Sequence, residues 1–173
     1  MGSAGKLTVI NSGPLIHLAM IDRLDLLEAL FVRVAIPLTV KIEVVYRGKE
    51  EGKADAFLVE GEIMNGWIVV EDCVDEGAED IAESAGIEAG EAEAIMLARS
   101  KQCLVLLDDL AARRFAAGLG LEVTGSIGVL VRAVKVGLIS RSEGLDALEK
   151  LARIMWLSVG VYEDVRKVVE GLD

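Results

Sequence analysis

The chain has 173 residues, of which 53% are hydrophobic and 27% are charged, a size that fits one domain or one domain with an extension. The net charge of −11 excludes a broad basic surface for nucleic acid, so such a ligand would need a local patch or a metal. Aromatic residues make up only 4% of the chain, which argues against an extended base-stacking platform. No apolar run is long enough to cross a membrane and the start lacks a secretory signal, so we expect a cytoplasmic protein.

Short apolar segments alternate with helical patterns along most of the chain. Five segments are predicted to be buried strands: 7–10, 32–36, 67–70, 104–107 and 121–123. The segments between them have the spacing or the end signals of helices: 14–21, 24–30, 37–46, 49–65, 90–99, 110–119 and 127–136. The acidic stretch 71–86 is predicted to be a solvated loop with room for one short helix. This alternation predicts a three-layer α/β/α sandwich around a mostly parallel five-stranded sheet.

The last part of the chain has a different pattern from the rest. Residues 1–138 are predicted to form the α/β domain, whereas residues 139–173 contain two helical segments, 142–155 and 162–171. Apolar residues at a spacing of three, such as Leu148 and Leu151, form a stripe on the first of them. We therefore expect a C-terminal helical extension that packs on the same domain or on a partner.

The cysteines and the single histidine give weak signals. Cys73 and Cys103 have no CxxC spacing, and they are either a disulfide or two buried thiols, of which the cytoplasm favours the thiols. His17 is the only histidine, so a zinc site has little support. His17 itself is interpreted as a partly buried structural residue, and the alternative is a general base.

Polar side chains follow three of the predicted strands at the point where each strand ends. They are, in chain order, Asn11 and Ser12, Asp108 and Asp109, and Thr124 and Ser126. Because ligands of open parallel sheets bind at the carboxyl ends of the strands, we expect a site at this edge.

Two glutamates on helices can join this edge. Glu43 interrupts an otherwise apolar helix, and Glu91 lies in the first turn of its helix, where the helix dipole favours a carboxylate. The alternative for Glu91, and equally for Glu93, is an ordinary residue at a helix start.

Several carboxylates at one crevice stay ionised together only if a divalent cation neutralises them, and oxygen ligands suit Mg²⁺ or Mn²⁺. A metal-held water would then favour hydrolysis of a phosphodiester.

Basic residues on the predicted helices have two interpretations. They are either a rim of phosphate contacts beside the acidic crevice or ordinary solvated helix faces, and the sequence leaves both open. The residues are Lys41, Arg47, Arg113, Arg114, Arg132 and Lys135.

Three segments, taken together and in this order, resemble the PIN-domain superfamily, and within it the small prokaryotic proteins similar to VapC toxins. They are VINSGPLIHLAMIDRLDLL, IPLTVKIEVV and GEAEAIMLARSKQCLVLLDDLAARRFAAGLGLEVTGSIGVLVRA, all within residues 7–138. The resemblance implies an α/β/α sandwich whose acidic cluster binds Mg²⁺ or Mn²⁺. It also implies endoribonuclease activity and, often, a co-encoded antitoxin partner and a homodimer.

The acids of the family transfer to this chain with one exception. The second acid matches Glu43, the third matches Glu91, and the fourth matches Asp109, with Asp108 as a close competitor. The place of the first acid is taken by Asn11, whose amide oxygen can ligate a metal but adds no charge. Three carboxylates and one amide therefore remain as expected ligands of one divalent ion.

The resemblance also implies supporting roles for two further residues. Ser12 supplies the small hydroxyl that often lies beside the first acid, and Ser126 is placed to orient a metal-bound water. Arg113 is predicted to orient the substrate.

The predicted function is a Mg²⁺- or Mn²⁺-dependent endoribonuclease, acting as the toxin of a toxin–antitoxin pair. The alternative is a catalytically impaired PIN-like module that binds RNA or protein, because Asn11 replaces the first acid. A phosphate-accepting receiver domain is rejected because it needs paired acids after the first strand and a lysine after the fifth, where this chain has Asn11 and Thr124. A Rossmann or P-loop nucleotide binder is rejected because the turn NSGPL contains neither GxGxxG nor GxxxxGK.

Overall fold

Five short strands form a single sheet in the computed structural model, which describes residues 7–72 and 77–172. The strands are β1 (Leu7–Ile10), β2 (Arg33–Pro37), β3 (Ile68–Glu71), β4 (Leu104–Leu106) and β5 (Val123–Thr124). Their order across the sheet is β3-β2-β1-β4-β5, and every neighbouring pair is parallel. The predicted five-stranded parallel sheet is therefore confirmed.

The sheet is buried on both faces, which explains why its strands are continuous apolar runs. Successive side chains of a strand point to opposite faces. Ile10 and Leu106 accordingly lie in one hydrophobic cluster, whereas Val9 and Val105 lie in a second cluster. All four side chains are fully buried, so two cores lie on either side of the sheet.

Helices cover the two faces and complete the three-layer sandwich. In chain order they are α1 (Ser12–Met20), α2 (Asp25–Leu30), α3 (Leu38–Lys41), α4 (Gly48–Glu50), α5 (Ala54–Asn65), α6 (Ala78–Ala85), α7 (Ala89–Lys101), α8 (Leu110–Gly118), α9 (Ser126–Lys135), α10 (Arg141–Ile154) and α11 (Val159–Glu170). A π-helical segment, Ile42–Arg47, joins α3 to α4 without a break. Residues of α7 and α8 pack on one face of the sheet, and residues of α1, α2, α5, α9, α10 and α11 pack on the other.

Several element boundaries differ from the prediction, and three of the differences have a clear structural cause. The helix predicted at 37–46 continues to Glu50, because the π-helical segment carries it past Tyr46. The acidic stretch contains the full helix α6, whose alanines Ala78 and Ala82 are buried. Strand β5 begins at Val123, since Leu121 donates its N–H to the Ala116 carbonyl and so belongs to the end of α8.

The C-terminal helices contribute to the same core as the sheet. Leu148 and Leu151 of α10 and Val169 of α11 are fully buried in the cluster that contains Ile10. Gly144 lets α10 approach α9 closely, because an added Cβ would lie 2.4 Å from a methyl group of Val134.

Two further predictions concern membrane-spanning segments and the cysteines. Among residues 7–72 and 77–172, no helix is both long and apolar enough to cross a lipid bilayer. The thiol of Cys103 is buried and free, whereas Cys73 lies outside the described residues.

Candidate functional site

The strand order creates a crevice between the carboxyl ends of β1 and β4. The chain leaves β1 toward β2 on one side, and after β3 it crosses to β4 on the other side of β1. Connections that diverge in this way leave the space above the two strands open, which is where α/β folds bind ligands. The first residue past β1 marks this point, because Asn11 donates its N–H to the Leu106 carbonyl of β4 at 3.1 Å.

A cavity of about 250 Å³ occupies this crevice and gathers most of the predicted site residues. Six predicted residues line it: Asn11, Ser12, Glu43, Glu91, Asp108 and Asp109. The structure adds Gly13, Ile16, His17 and Glu88 to the lining. The two remaining predicted residues lie beside it, since Ser126 bonds to Asp108 and the Arg113 guanidinium lies next to Gly125.

Asp108 is held by three hydrogen bonds. The N–H of Ser126 donates to Oδ1 at 2.7 Å, and the Ser126 hydroxyl donates to Oδ2 at 2.6 Å. The ring Nδ1 of His17 lies 2.6 Å from the same Oδ2. Because a carboxylate only accepts hydrogen bonds, Nδ1 of His17 is the donor in this contact, and Nε2 is the ring nitrogen left for another partner. Asp108 therefore fixes the ring of His17 and the first turn of α9.

Only glycine fits at position 125, between Asp108 and the start of α9. A Cβ on Gly125 would lie 2.5 Å from Oδ1 of Asp108 and 2.8 Å from the Leu107 carbonyl oxygen. Both distances are shorter than real carbon–oxygen contacts, so a side chain would displace the carboxylate. The N-cap position of α9 thus brings the backbone close enough for Ser126 to reach Asp108.

Glu43 reaches the cavity from the π-helical segment. The hydroxyl of Ser12, which is 5% exposed, donates to Oε2 of Glu43 at 2.6 Å. This hydrogen bond ties the first residue of α1 to the π-helical segment. π-helical turns are rare and occur frequently at functional sites, and here the turn carries one of the predicted acids.

Glu91 and Asp109 each use one carboxylate oxygen to cap a helix. Oε2 of Glu91 accepts the N–H of Glu88 at 3.0 Å, and the Glu88 side chain accepts the N–H of Glu91 in return, which makes a capping box at the start of α7. Oδ1 of Asp109 accepts the N–H of Ala112 at 2.9 Å and caps α8. Each carboxylate keeps a second oxygen for another partner.

The negative charges at the cavity destabilise one another. Burial raises the pKa of Glu91 above its ordinary value, and the hydrogen bond from Glu88 opposes that rise. The charges of Asp109, Glu88 and Glu43 raise the pKa of Glu91 further. The carboxylates therefore lie close enough to repel one another, a repulsion that a bound cation would relieve.

The donor atoms suit a hard cation, although their present contacts are with protein groups. Carboxylate and amide oxygens are the ligands that Mg²⁺ and Mn²⁺ prefer, and the cavity offers them from Asn11, Glu43, Glu91 and Asp109. Across the described parts of the chain, no three Asp, Glu, His or Cys side chains are grouped as ligands of one metal ion. Loading the site would therefore require these side chains to move closer together than they lie in this structure.

The predicted basic rim is not a single feature. Arg113 lies beside Gly125 and the cavity. Arg132, in contrast, stacks on the ring of Phe31 with 5.4 Å to the centroid and lines a different cavity, which also contains Thr8 and Gln102. That cavity lies toward the amino ends of the strands. Ser126, beside the acidic crevice, is the first residue of α9, and Arg132 lies six residues further along this helix, a rise of about 9 Å away from the crevice. Of the two interpretations that the sequence left open, a rim beside the acidic crevice therefore does not include Arg132.

Sequence reasoning did not place His17 and Glu88 in the site. Since α1 begins at Ser12, residues Gly13, Ile16 and His17 share one face of the helix, and all three line the cavity. That spacing was the signal available for His17. Glu88 had no comparable signal, because glutamate is not among the preferred N-cap residues.

Comparison with known proteins identifies a family. A family model described as PIN domain matches residues 7–171 of the chain. No curated protein and no solved structure gives a match.

Proposed function

Because the chain belongs to the PIN-domain family, we propose that it is a metal-dependent endoribonuclease that hydrolyses phosphodiester bonds of RNA. Membership of this family indicates nuclease-type activity in general. The observation that carries the finer proposal is the single cavity that Asn11, Glu43, Glu91 and Asp109 line together.

The cofactor is proposed to be Mg²⁺ or Mn²⁺, held by these four residues. Three of them bring a carboxylate, and Asn11, which is 7% exposed, brings a neutral amide oxygen. A bound ion of this kind supplies charge stabilisation at the phosphate and an activated water. The mutual repulsion around Glu91 supports the proposal, because like charges gathered at one cavity are the arrangement that a cation stabilises.

His17 is proposed to transfer a proton in the same cavity. Its Nδ1 is held by Asp108, so Nε2 is left to take a proton from a group in the cavity or to return one. Asp108 and Ser126 then act as positioning residues for the ring, and Arg113 stands beside them to contact a phosphate oxygen.

Manganese is expected to stabilise the protein against unfolding. A ligand at 100 times its Kd raises the free energy of unfolding by about 2.7 kcal/mol, which for a domain of this size shifts Tm by roughly 5 to 10 °C. Differential scanning fluorimetry with a manganese titration measures the shift, and Mg²⁺ is tested in parallel. The variant Asp146→Asn is the control, because this exposed acid pairs with Lys150 on α10 and should leave the shift unchanged. An unaltered Tm in saturating manganese would refute the metal site.

A second experiment compares RNA cleavage by the unaltered protein and by Asn11→Asp. It distinguishes the proposed nuclease from the second candidate function. The alternative is a PIN-like module that binds RNA or protein without cleaving, and the observation in its favour is the neutral amide of Asn11 in place of an acid. The substrate is a pool of single-stranded and hairpin RNA, incubated with manganese or with chelator. We expect manganese-dependent cleavage by the unaltered protein and a faster rate for Asn11→Asp, since a fourth carboxylate binds the ion more tightly. Activity in Asn11→Asp alone would instead establish the non-cleaving module.

The proposed partners follow from the proposed toxin-like role. They are an antitoxin protein and a second copy of this chain. Because the proposed substrate is cellular RNA, the cytoplasm is the proposed location. Exposed apolar side chains such as Trp156 and Val159 offer surface for a protein contact. Light scattering coupled to size exclusion gives the mass of the protein alone and therefore tests the homodimer.

A further inference from the structure

We propose that an exposed aromatic face on the π-helical segment that carries Glu43 holds single-stranded RNA, with a base stacked on Tyr46 and the adjoining phosphate on Lys41. The proposal rests on the proposed ribonuclease function and states how its substrate is held.

The π-helical segment gives Tyr46 its position. Tyr46 lies three residues after Glu43, which lines the cavity, and the tyrosine is 48% exposed. The ammonium of Lys41 lies over the Tyr46 ring, 5.4 Å from the centroid. Residues five apart lie above one another in a π-helix, where hydrogen bonds join i to i+5, whereas five residues of α-helix point them well apart. The π-helical segment therefore provides both a cavity carboxylate and an exposed ring, and Lys41, the residue just before the segment, gives the ring its cation.

A second exposed ring lies on the neighbouring helix. Phe57 of α5 is 54% exposed, and the ammonium of Lys49 lies 5.2 Å from its centroid. Helices α4 and α5 meet closely at Gly48, where an added Cβ would lie 2.8 Å from that of Ala56. Lys49 also bonds to both carboxylate oxygens of Glu60, at 2.9 and 2.8 Å, so its charge is shared.

Lys41 differs from Lys49 because it is not paired with a carboxylate among the residues that the structure describes. In the described parts of the chain, Lys41 forms no ion pair within 4.0 Å, so its charge is available to a phosphate. The Tyr46 and Lys41 pair is therefore the principal contact, and the Phe57 and Lys49 pair is the weaker one.

A single RNA strand matches this pair better than a duplex does. Each nucleotide of a single strand offers an open base face and a phosphate, and binders of single strands combine an aromatic ring with a nearby cation for the same reason. With a net charge of −11 the protein repels RNA at most of its surface, so a local ring and cation at the segment that carries Glu43 would hold a strand close to the acids.

The test measures RNA affinity without cleavage. A fluorescently labelled twelve-nucleotide oligouridine is titrated with each protein in chelator, and binding is followed by anisotropy. Base stacking on one ring leads us to expect that Tyr46→Ala weakens binding by about five-fold or more. Tyr46→Phe should stay within about two-fold of the unaltered protein, because it keeps the ring. Lys41→Ala should weaken binding and lower the slope of log Kd against log salt by about 0.7, the value for one lost phosphate contact on a single strand.

Trp156→Ala is the matched control. Trp156 is 90% exposed and lies on the connection between α10 and α11, so its loss removes an exposed ring far along the chain from the cavity acids and should leave affinity unchanged. Circular dichroism of each variant confirms that the fold is retained.

The outcomes distinguish this proposal from the proposed function. If the unaltered protein binds no RNA in chelator, the aromatic face is overturned, and the manganese-dependent cleavage assay decides the ribonuclease function separately. If it binds and Tyr46→Ala binds equally well, the aromatic face is overturned while the ribonuclease function stands. A Tyr46→Ala variant with full RNA affinity but an altered mass by light scattering would assign the face to a protein partner, which also overturns the proposal.

Discussion

Replacing Glu91 with glutamine will remove RNA cleavage and leave the fold at least as stable as before. The glutamine oxygen can still accept the N–H of Glu88, as glutamine does in capping boxes. The charge is lost, and with it a proposed metal ligand, so we expect cleavage to fall by on the order of 100-fold or more. The measurement is the cleavage rate of labelled RNA in manganese, together with Tm in chelator.

The cleavage rate is expected to fall while Tm stays level or rises, and this combination distinguishes a metal ligand from a residue that only stabilises the fold. Burial and the neighbouring charges of Asp109, Glu88 and Glu43 make ionised Glu91 unfavourable in the folded protein. Removing that charge relieves the folded state, so Tm in chelator should stay level or rise. A merely structural Glu91 would give the reverse result: a lower Tm and unchanged cleavage.

Glu93→Gln is the matched control for Glu91→Gln. Glu93 lies two residues further along α7 and accepts a hydrogen bond from the Thr39 hydroxyl at 2.5 Å, away from the cavity lining. The same substitution at Glu93 should keep cleavage within about two-fold, because Glu93 does not line the cavity and the glutamine oxygen can still accept the Thr39 hydrogen bond. Equal loss of cleavage in both variants would contradict a specific role for Glu91.

The sheet could be predicted from sequence because its strands are buried on both faces. Leu7–Ile10 and Leu104–Leu106 are continuous apolar runs, and both occur as strands in the structure. The two-residue strand β5 was harder, since its boundary depends on how α8 ends rather than on hydrophobicity. Asn11 and Asp109 follow strand ends, so parallel strands alone bring them to one edge.

Residues on helices were harder to place, because their direction depends on where a helix begins and on its type. His17 faces the cavity because α1 starts at Ser12, two residues before the proline that marked the helix in the sequence. Tyr46 comes to lie beside Lys41 through a π-helical turn, for which no sequence pattern was available. The 4% aromatic content argued against base stacking, but a composition does not show where individual rings lie.

Asp108 and Asp109 are expected to respond to alanine substitution in different ways. Asp108→Ala removes the acceptor of three hydrogen bonds, including two from Ser126, which is fully buried. A buried donor left without its acceptor costs about 1 to 3 kcal/mol, so we expect a total loss of about 3 kcal/mol. That loss corresponds to a fall in Tm of roughly 6 to 12 °C for a domain of this size.

Asp109→Ala should be milder for stability and more severe for metal binding. Asp109 is exposed and gives up one capping hydrogen bond to Ala112, a loss that typically costs about 1 kcal/mol. Its second oxygen is free to bind an ion, whereas both oxygens of Asp108 are engaged. The stabilisation by manganese should therefore vanish in Asp109→Ala and persist, from a lower starting Tm, in Asp108→Ala.

Tm measured with and without manganese for both variants decides which aspartate is the ligand. Asp108→Asn is a useful third variant. Its single carbonyl oxygen can keep one or two of the three hydrogen bonds, so its Tm should fall between those of the unaltered protein and Asp108→Ala. If manganese still stabilises Asp109→Ala but not Asp108→Ala, the order is reversed. Asp108 would then be the metal ligand, and the hydrogen bonds from His17 and Ser126 would be contacts of the metal-free protein that the ion replaces.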